Sequence, residues 1–180
     1  MRVISGNARG LKLLSLDGLD TRPTLDRVKE ALFSMLTPYI YSSNVLDLFA
    51  GSGALGIEAL SRGAERAVFV DALPAAMDIV KQNASKAAVS ERSAFYTKTA
   101  DEYLKKCDER FDIIFLDPPY RGEFYEKCLS SLYENGLLNS ECIIVIEWDS
   151  ELGRPPIPDY YEILKERRYG RVMITLLSLA

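Results

Sequence analysis

The sequence predicts an α/β protein with a mostly parallel sheet, and three observations support this fold class. First, an apolar run at 44–49 passes through a glycine turn into a helical pattern, so the hydrophobic period changes from two to 3.6 residues. Second, short apolar runs alternate with helical segments. Third, the last two runs turn at Tyr169-Gly170 and indicate an antiparallel hairpin at the sheet edge. The seven predicted strands cover 44–49, 66–71, 93–98, 111–116, 141–148, 160–166 and 171–178.

A hairpin and a helix are predicted in front of this sheet. The stretches 1–5 and 11–16 are apolar and flank a glycine-containing loop. Thr24 is predicted to cap the following helix and Pro38 to end it. The apolar face of this helix consists of Leu25, Val28, Leu32 and Leu36. Crossover helices are expected at 74–88 and 123–133. The two predicted domains are 1–40 and 41–180.

Composition limits the classes of protein that fit this chain. With 180 residues, 48% hydrophobic and 27% charged, it is ordinary for one soluble globular domain. No apolar run approaches 18 residues and no signal peptide begins the chain, so we expect a cytoplasmic protein without a membrane partner. The three widely spaced cysteines indicate neither disulfides nor a zinc site. Histidine is absent, which removes the usual general base and any Ser-His or Cys-His pair.

The turn after the first strand predicts a site for a small cofactor. Gly51 and Gly53 allow close approach of the backbone, and Gly56 completes G-x-G-x-x-G, the fingerprint of dinucleotide binders. Asp47 ends the strand, where a carboxylate would repel a pyrophosphate but attract a cationic, amine-bearing ligand such as S-adenosylmethionine (SAM). Asp71 ends the next strand, where it can bind a ribose diol. Alternatively, Asp47 only orders the turn through backbone N–H groups and Asp71 only caps a helix.

A second candidate site follows the strand at 111–116. In Asp117-Pro118-Pro119-Tyr120 two prolines hold the chain in an extended turn. Asp117 and the Pro118 carbonyl would accept hydrogen bonds from an exocyclic amine, and Tyr120 would stack on the planar base that carries it. Alignment of the amine with a methyl donor is then most of the catalysis, and its proton leaves to Asp117 or water, so histidine is not needed. The alternative is a strand-to-helix turn without a catalytic role.

The charge distribution leaves a nucleic-acid partner open. A net charge of −4 and a pI near 5.0 do not indicate nucleic-acid binding. Basic residues are nevertheless concentrated in 1–30 and in K-E-R-R-Y-G-R at 165–171. Arg9 lies at the predicted tip of the hairpin, where it can reach a phosphate. Both regions fit either a solvated surface or a nucleic-acid contact.

Together these motifs resemble a known family, the RsmD-type 16S ribosomal RNA guanine-N2 methyltransferases of bacteria. The resemblance covers nearly the whole chain, and T-R-P-T-L-D-R-V combined with the glycine and D-P-P-Y motifs is its most specific part. It implies a Rossmann-like, class I SAM-dependent methyltransferase fold. It also implies methyl transfer to the exocyclic N2 of one guanine in 16S RNA, within the small ribosomal subunit or its precursor. The matching segments are R-V-I-S-G-N-A-R-G-L-K-L, T-R-P-T-L-D-R-V-K-E-A-L-F, D-L-F-A-G-S-G-A-L-G-I-E-A-L-S-R-G-A and F-D-I-I-F-L-D-P-P-Y.

The resemblance implies roles for individual residues, with no metal, and we expect a monomer. The implied catalytic residues are Asp117, Pro118, Pro119 and Tyr120. The implied cofactor site consists of Asp47, Phe49, Ala50, Gly51, Gly53, Asp71, Ala72, Thr99, Ala100 and Asp117. The implied RNA contacts are Arg9, Lys12, Arg22, Thr24 and Arg27. Two positions depart from the family pattern. Thr99 stands where Asp or Asn usually contacts the adenine, and Asp71 replaces the more usual Glu.

Two other interpretations remain open from the residues themselves. The D-P-P-Y turn also suits an amino methyltransferase that acts on adenine N6 in DNA, although the chain has no obvious target-recognition domain. A non-catalytic nucleotide-binding or ribosome-assembly module could keep the glycine loop, but Asp47 and the D-P-P-Y motif argue against it.

Overall fold

The computed structural model describes residues 1–16, 26–118 and 123–180. These residues form a seven-stranded sheet with helices on both faces. Outside the described residues lie the predictions for Arg22, Thr24, Leu25, Pro119 and Tyr120.

The sheet is parallel except at one edge. Its strand order is β3-β2-β1-β4-β5-β7-β6, in which β7 pairs antiparallel with both neighbours. This topology confirms the predicted α/β fold with an antiparallel edge hairpin. The strands are β1 (Asn44–Asp47), β2 (Arg66–Asp71), β3 (Ser93–Thr97), β4 (Phe111–Leu116), β5 (Leu138–Asp149), β6 (Tyr161–Tyr169) and β7 (Val172–Leu179). The helices are α1 (Asp26–Ile40), α2 (Ala54–Ser61), α3 (Pro74–Lys86), α4 (Ala100–Leu104) and α5 (Glu123–Glu134), with a short 3-10 helix at Ser90–Arg92.

The boundaries of β2 and β4 agree with the sequence prediction, and the other strands differ from it at one or both ends. β5 begins at Leu138 rather than at residue 141, β6 continues to Tyr169 rather than ending at residue 166, and the ends of β1 and α1 were also wrong. β1 ends at Asp47 rather than at residue 49, because the chain turns there toward the glycines. Pro38 does not stop α1, which continues to Ile40. A proline lacks one N–H but has a helical φ, so the last residues of a helix can follow it. The Ser43 hydroxyl then donates to the terminal carbonyl of Ile40 at 2.6 Å.

Two apolar layers cover the sheet, because neighbouring residues of a strand point to opposite faces. Val45 of β1 belongs to the layer beneath α1, α2 and α3, whereas Leu46 belongs to the layer beneath α4 and α5. Both side chains are fully buried, as in other parallel strands that are covered on both sides. The helices therefore sit on the faces and leave the strand ends open at the edges of the sheet.

The N-terminal segment forms a short hairpin that lies on the first of these layers. Arg2 and Lys12 make its single β-bridge, which is extended by backbone hydrogen bonds from the Val3 N–H to the Leu11 carbonyl and from the Gly10 N–H to the Val3 carbonyl. Val3 and Leu13 are buried in the same layer as α1 and α2. The predicted domain boundary after residue 40 stays a prediction.

A buried ion pair attaches this hairpin and α1 to α2. Lys29 of α1 and Glu58 of α2 are both fully buried, with Nζ and Oε2 3.1 Å apart. Glu58 also accepts hydrogen bonds from the backbone N–H groups of Ile4 and Ser5, at 2.8 and 3.0 Å, and from Arg62. Burial lowers the pKa of Lys29, and the charge of Glu58 opposes this shift. One buried carboxylate thus forms ion pairs with Lys29 and Arg62 and accepts hydrogen bonds from two backbone N–H groups of the hairpin.

Replacement of Lys29 by methionine should destabilise the fold strongly, because it leaves Glu58 buried with fewer compensating charges. We expect the free energy of unfolding to fall by about 3 to 5 kcal/mol in urea denaturation. The matched control is Arg2→Ala, which removes a cation from the exposed Arg2–Asp26 pair and should cost at most about 1 kcal/mol. Equal losses for the two variants would contradict this account of the buried pair.

Candidate active site

Three aspartates lie together at the carboxyl ends of neighbouring strands, here called the carboxyl edge of the sheet, because β1 pairs in parallel with both β2 and β4. In the pairing register Asp47 is opposite Phe69 and Phe115, so Asp71 and Asp117 follow shortly beyond those partners. The carboxyl ends of parallel strands meet at the same edge, and ligands of such sheets bind there. The charges of Asp117 and Asp71 both act on Asp47, which shows that the three side chains are close.

The glycine loop between β1 and α2 leaves open space at this edge. The Gly51 N–H donates to Asp71 Oδ2 at 2.8 Å, and Ala50 N–H donates to the carbonyl of Val70. Gly51 has φ of 55°, and a Cβ added there would meet no atom within 4 Å. At Gly53, with φ of 75°, an added Cβ would come within 3.0 Å of Val80. The loop therefore packs against α3 at Gly53, whereas its backbone at Gly51 is accessible to a ligand.

Asp47 is buried beneath this loop. Its Oδ2 accepts a hydrogen bond from the N–H of Gly56 at 3.0 Å, within the first turn of α2. Burial raises the pKa of Asp47 to about 7, and the negative charges of Asp117 and Asp71 add to the shift. Asp47 thus orders the turn through a backbone N–H, as one alternative held, and it is also a buried carboxyl group that a nearby cation would stabilise in its charged form.

The Asp71 carboxylate joins the loop to the start of α3. Its Oδ2 accepts from Gly51 and its Oδ1 from the N–H of Leu73 at 2.9 Å. Each carboxylate oxygen has a second lone-pair direction, so these two bonds leave acceptor capacity for a ligand. Ala72 is exposed beside it.

Asp117 and Pro118 end β4 at the same edge. Solvent reaches the side chain of Asp117, whereas Pro118 is buried. Protein atoms crowd Asp117 from the other directions, and this desolvation raises the pKa of its carboxyl group to about 6. Next to it, the Tyr125 hydroxyl donates to the carbonyl of Glu147 at the end of β5. A second carboxyl group at this edge therefore has a pKa close to neutral pH.

The remaining predicted cofactor residues lie around this edge in different environments. Thr99 caps α4, since its Oγ1 accepts from the N–H of Glu102 at 3.2 Å and donates to the Glu102 carboxylate. Its hydroxyl is thus engaged in a capping box. Ala100 is buried in the first turn of α4, Ala50 is buried in the glycine loop, and Phe49 is half-buried against the second apolar layer. Their contact with a cofactor stays a prediction.

The predicted RNA contacts that the structure describes are all exposed. Arg9, Lys12 and Arg27 have no side-chain partner among the described residues. The loop that carries Arg9 lies against the C-terminal end of α2, where the backbone N–H of Asn7 donates to Ser61. This is the end of α2 away from the glycine loop, so the hairpin tip and the candidate cofactor site are separated by the length of that helix.

Sequence reasoning missed Asn83, which connects the hairpin segment to the glycine loop. This side chain is fully buried in α3. Its Nδ2 donates to the carbonyls of Leu14 and Ser52 at 3.0 and 2.8 Å, and its Oδ1 accepts from Leu14 N–H at 2.8 Å. The only signal in the sequence was an amide at a position of α3 that faces the core, and periodicity does not reveal its partners.

Comparisons with known proteins agree with this architecture. The sequence model of the family described as conserved hypothetical protein 95, the RsmD family, matches residues 1–178. The chain belongs to the RsmD family. It is 39% identical over 180 residues to the ribosomal RNA small subunit methyltransferase D of Haemophilus influenzae, covering 98% of this chain and 92% of that one.

Solved structures extend the comparison to three dimensions. The RsmD-family chain superposes on the Escherichia coli protein yhhF with a TM-score of 0.88 and 34% identity, covering 98% and 96% of the two chains. A more distant structure, SMU.776 in complex with SAH, gives a TM-score of 0.69 at 15% identity, covering 84% of this chain and 49% of that one. At that distance only the fold is shared. The fold is that of the class I SAM-dependent methyltransferases.

No group of three or more cysteine, aspartate or glutamate side chains in 1–16, 26–118 and 123–180 converges closely enough for a metal ion. In the same ranges no helix combines the length and the apolar character needed to cross a bilayer.

Replacement of Asn83 by alanine should loosen both segments that it connects. The Leu14 N–H and the carbonyls of Leu14 and Ser52 would lose their partner, and we expect the free energy of unfolding to fall by about 1 to 3 kcal/mol. Amide exchange at Leu14 should accelerate at the same time. The control is Asn135→Ala, whose exposed amide bonds only to Ser131 and whose loss should cost about 0.5 kcal/mol or less. Unchanged amide exchange at Leu14 would show that the hydrogen bonds of Asn83 are not needed to hold this segment in place.

Proposed function

We propose that this protein transfers the methyl group of SAM to the exocyclic N2 of a guanine in small-subunit (16S) ribosomal RNA. The observation that carries the proposal is the convergence of Asp47, Asp71 and Asp117 around an open glycine loop. This arrangement provides a site for a cationic, ribose-bearing cofactor next to a carboxylate that can accept a proton. The protein is a methyltransferase of ribosomal RNA that uses SAM, in keeping with its family.

The residues at the sheet edge fit this cofactor. SAM carries a sulfonium and an ammonium group, and the carboxylates of Asp47 and Asp71 supply the opposite charge. Buried Asp47 has a pKa of about 7, so a bound cation would lower that pKa and hold the carboxylate ionised. Asp71 keeps acceptor capacity for a ribose diol, and the space in front of Gly51 allows a ligand to approach the backbone.

Asp117 and Pro118 would position the nucleophile. When bound, SAM supplies an electrophilic methyl group. The Asp117 carboxylate and the Pro118 carbonyl accept hydrogen bonds from the exocyclic amine and direct its lone pair at that methyl. Transfer would break the methyl–sulfur bond, leave its electron pair on sulfur and make the nitrogen positively charged and strongly acidic, so Asp117 or water would accept the amine proton. The sequence contains no histidine, and Asp117, with a pKa of about 6, is able to accept this proton near neutral pH.

The test is methyl transfer from labelled SAM to small ribosomal subunits from a strain that lacks this gene, followed by nucleoside analysis. We expect label in N2-methylguanosine. Asp117→Ala should reduce transfer by at least about 100-fold while SAM affinity is retained, and Asp108→Ala, which removes an exposed aspartate elsewhere, should change neither. Parallel runs on free 16S RNA and on DNA separate the substrates. Label in N6-methyladenine of DNA, or no label despite SAM binding, would overturn the proposal.

SAM affinity should depend on pH through Asp47. Because the cofactor is cationic, it prefers the ionised carboxylate, and with a pKa of about 7 in the free protein affinity should fall about tenfold per pH unit below 7. Titration calorimetry from pH 8 to about pH 6 measures this slope. Asp47→Asn should bind more weakly at pH 8 and show a much flatter profile, whereas Asp117→Asn should keep a pH-dependent affinity with its midpoint moved to lower pH, because it removes a charge that raises the pKa of Asp47. A wild-type affinity independent of pH would contradict the assignment of Asp47.

The same pKa shift has a definite sign for stability. The folded-state pKa of Asp47, about 7, lies above its ordinary value of 3.8, so the folded protein binds more protons than the unfolded chain in this interval. The contribution of Asp47 to the free energy of unfolding therefore decreases as pH rises from about 4 to about 7. A bound cation should offset this decrease.

A further inference from the structure

Strand β6 places two unpaired cations on one face of the sheet. Lys165, Arg167 and Tyr169, here called the β6 basic strip, alternate along the strand and so point to the same side. Lys165 and Arg167 are exposed, and Tyr169 packs partly against the apolar layer beneath α1. Their partners in β7, on that same face, are Leu176, Ile174 and Val172. Because β6 is the outermost strand, the strip lies along the free edge of the sheet.

No carboxylate neutralises the strip within the part of the chain that the structure describes. The Arg167 guanidinium donates only to the main-chain oxygen of Glu166 at 3.0 Å, and Lys165 has no side-chain partner there. The Glu166 carboxylate points to the opposite face, where it binds Arg154 and Thr175. Glu162 lies beyond the bulge in β6 and bonds to Ser178. Glu147 and Asp149 share this face, but they lie on β5, two strands from β6, and neither makes an ion pair with Lys165 or Arg167 in the described part of the chain. The outermost strand thus keeps its positive charge on a chain whose net charge is −4.

The strip runs toward the candidate active site. β6 and β5 are both antiparallel to β7, so β6 has the same direction as β5 and β4. Its last residue therefore lies at the carboxyl end of the parallel strands, which is also where Asp117 lies. Helix α1 packs on the same face and ends at Ile40, just before β1 begins at the other edge. Its first turn, with exposed Arg27, therefore also lies at the edge of Asp117. Two separate elements bring exposed cations to this edge.

We propose that the β6 basic strip binds the sugar-phosphate backbone of the RNA substrate at the end of the sheet that also carries Asp117, with β5 and β7 between the strip and β4. This inference rests on the proposed function and adds a contact surface to it. Alternate residues of a strand are about 7 Å apart, a spacing comparable with that of successive phosphates along an RNA strand. Arginine and lysine bind phosphate oxygens through charge-assisted hydrogen bonds, and such contacts position RNA without reading its sequence. The strip thus accounts for RNA binding by an acidic protein through local charge.

Cations on an edge strand have a second known role, which is to prevent pairing between sheet edges of different molecules. The two roles predict different results. Loss of phosphate contacts changes RNA affinity and its salt dependence, whereas loss of edge protection changes self-association and leaves RNA binding unaltered.

The experiment compares wild-type protein with Lys165→Ala/Arg167→Ala and with the control Lys105→Ala/Lys106→Ala. The control removes the same charge from the turn that follows α4, a helix that covers the opposite face. Fluorescence anisotropy with a labelled 16S RNA transcript gives affinity over a series of KCl concentrations, and sedimentation reports self-association. Methyl transfer to undermethylated small subunits gives kcat and KM. A swap, Lys165→Arg/Arg167→Lys, keeps the charge.

For the β6 variant we expect weaker RNA binding, with a slope of log affinity against log salt that is smaller by about 1 to 2. KM for subunits should rise, kcat and SAM affinity should stay unchanged, and the control and the swap should behave like wild type. Equal slopes for the β6 variant and the control, or a change in self-association alone, would contradict the proposed binding of RNA by the strip. Wild-type protein that binds RNA but transfers no methyl would refute the proposed function, while the slopes would still decide this inference.

Discussion

The parallel pairing of β1 with β2 on one side and β4 on the other is the constraint on which the site depends. It brings the ends of three strands together: Asp47 and Asp71 are the last residues of β1 and β2, and Asp117 follows β4. No two of these residues are neighbours in the chain, so only this pairing collects their negative charge. The apolar layers on both faces keep the three strands in register, because a shift by one residue would reverse every side chain.

Helix α2 connects the cofactor edge to the N-terminal hairpin. Its first turn carries the Gly56 amide that binds Asp47, and its last turns carry Glu58 and Ser61, which bind the hairpin backbone. Asn83 makes a second connection, between Leu14 and the glycine loop. The hairpin is therefore attached to the elements that form the cofactor site, and buried ions and amides hold it there because a disrupted partner would leave an uncompensated polar group.

An acidic methyltransferase of RNA has to resolve a conflict of charge. Carboxylates at the sheet edge suit a cationic cofactor, but they repel phosphates. The exposed cations that the structure describes on the hairpin, in the first turn of α1 and on β6 make no ion pair with the three aspartates, although α1 begins and β6 ends at the same end of the strands. Several of them lack a carboxylate partner among the described residues, whereas Arg171 is paired with Asp149 and Glu151. Separation of the two charge types over the surface lets one small domain accept ligands of opposite sign.

The sequence alone determined the order of elements and the two motifs, because the hydrophobic period and the positions of turn-forming glycines and prolines are local properties. It placed β2 and β4 at their observed bounds and put Asp47, Asp71 and Asp117 at strand ends. Only the tertiary structure decided that Lys29 and Glu58 form a buried pair, that Asn83 bridges two segments, and that Lys165 and Arg167 share a face. Those relations join residues far apart in sequence, and periodicity shows which face of an element is buried but not which polar groups meet there.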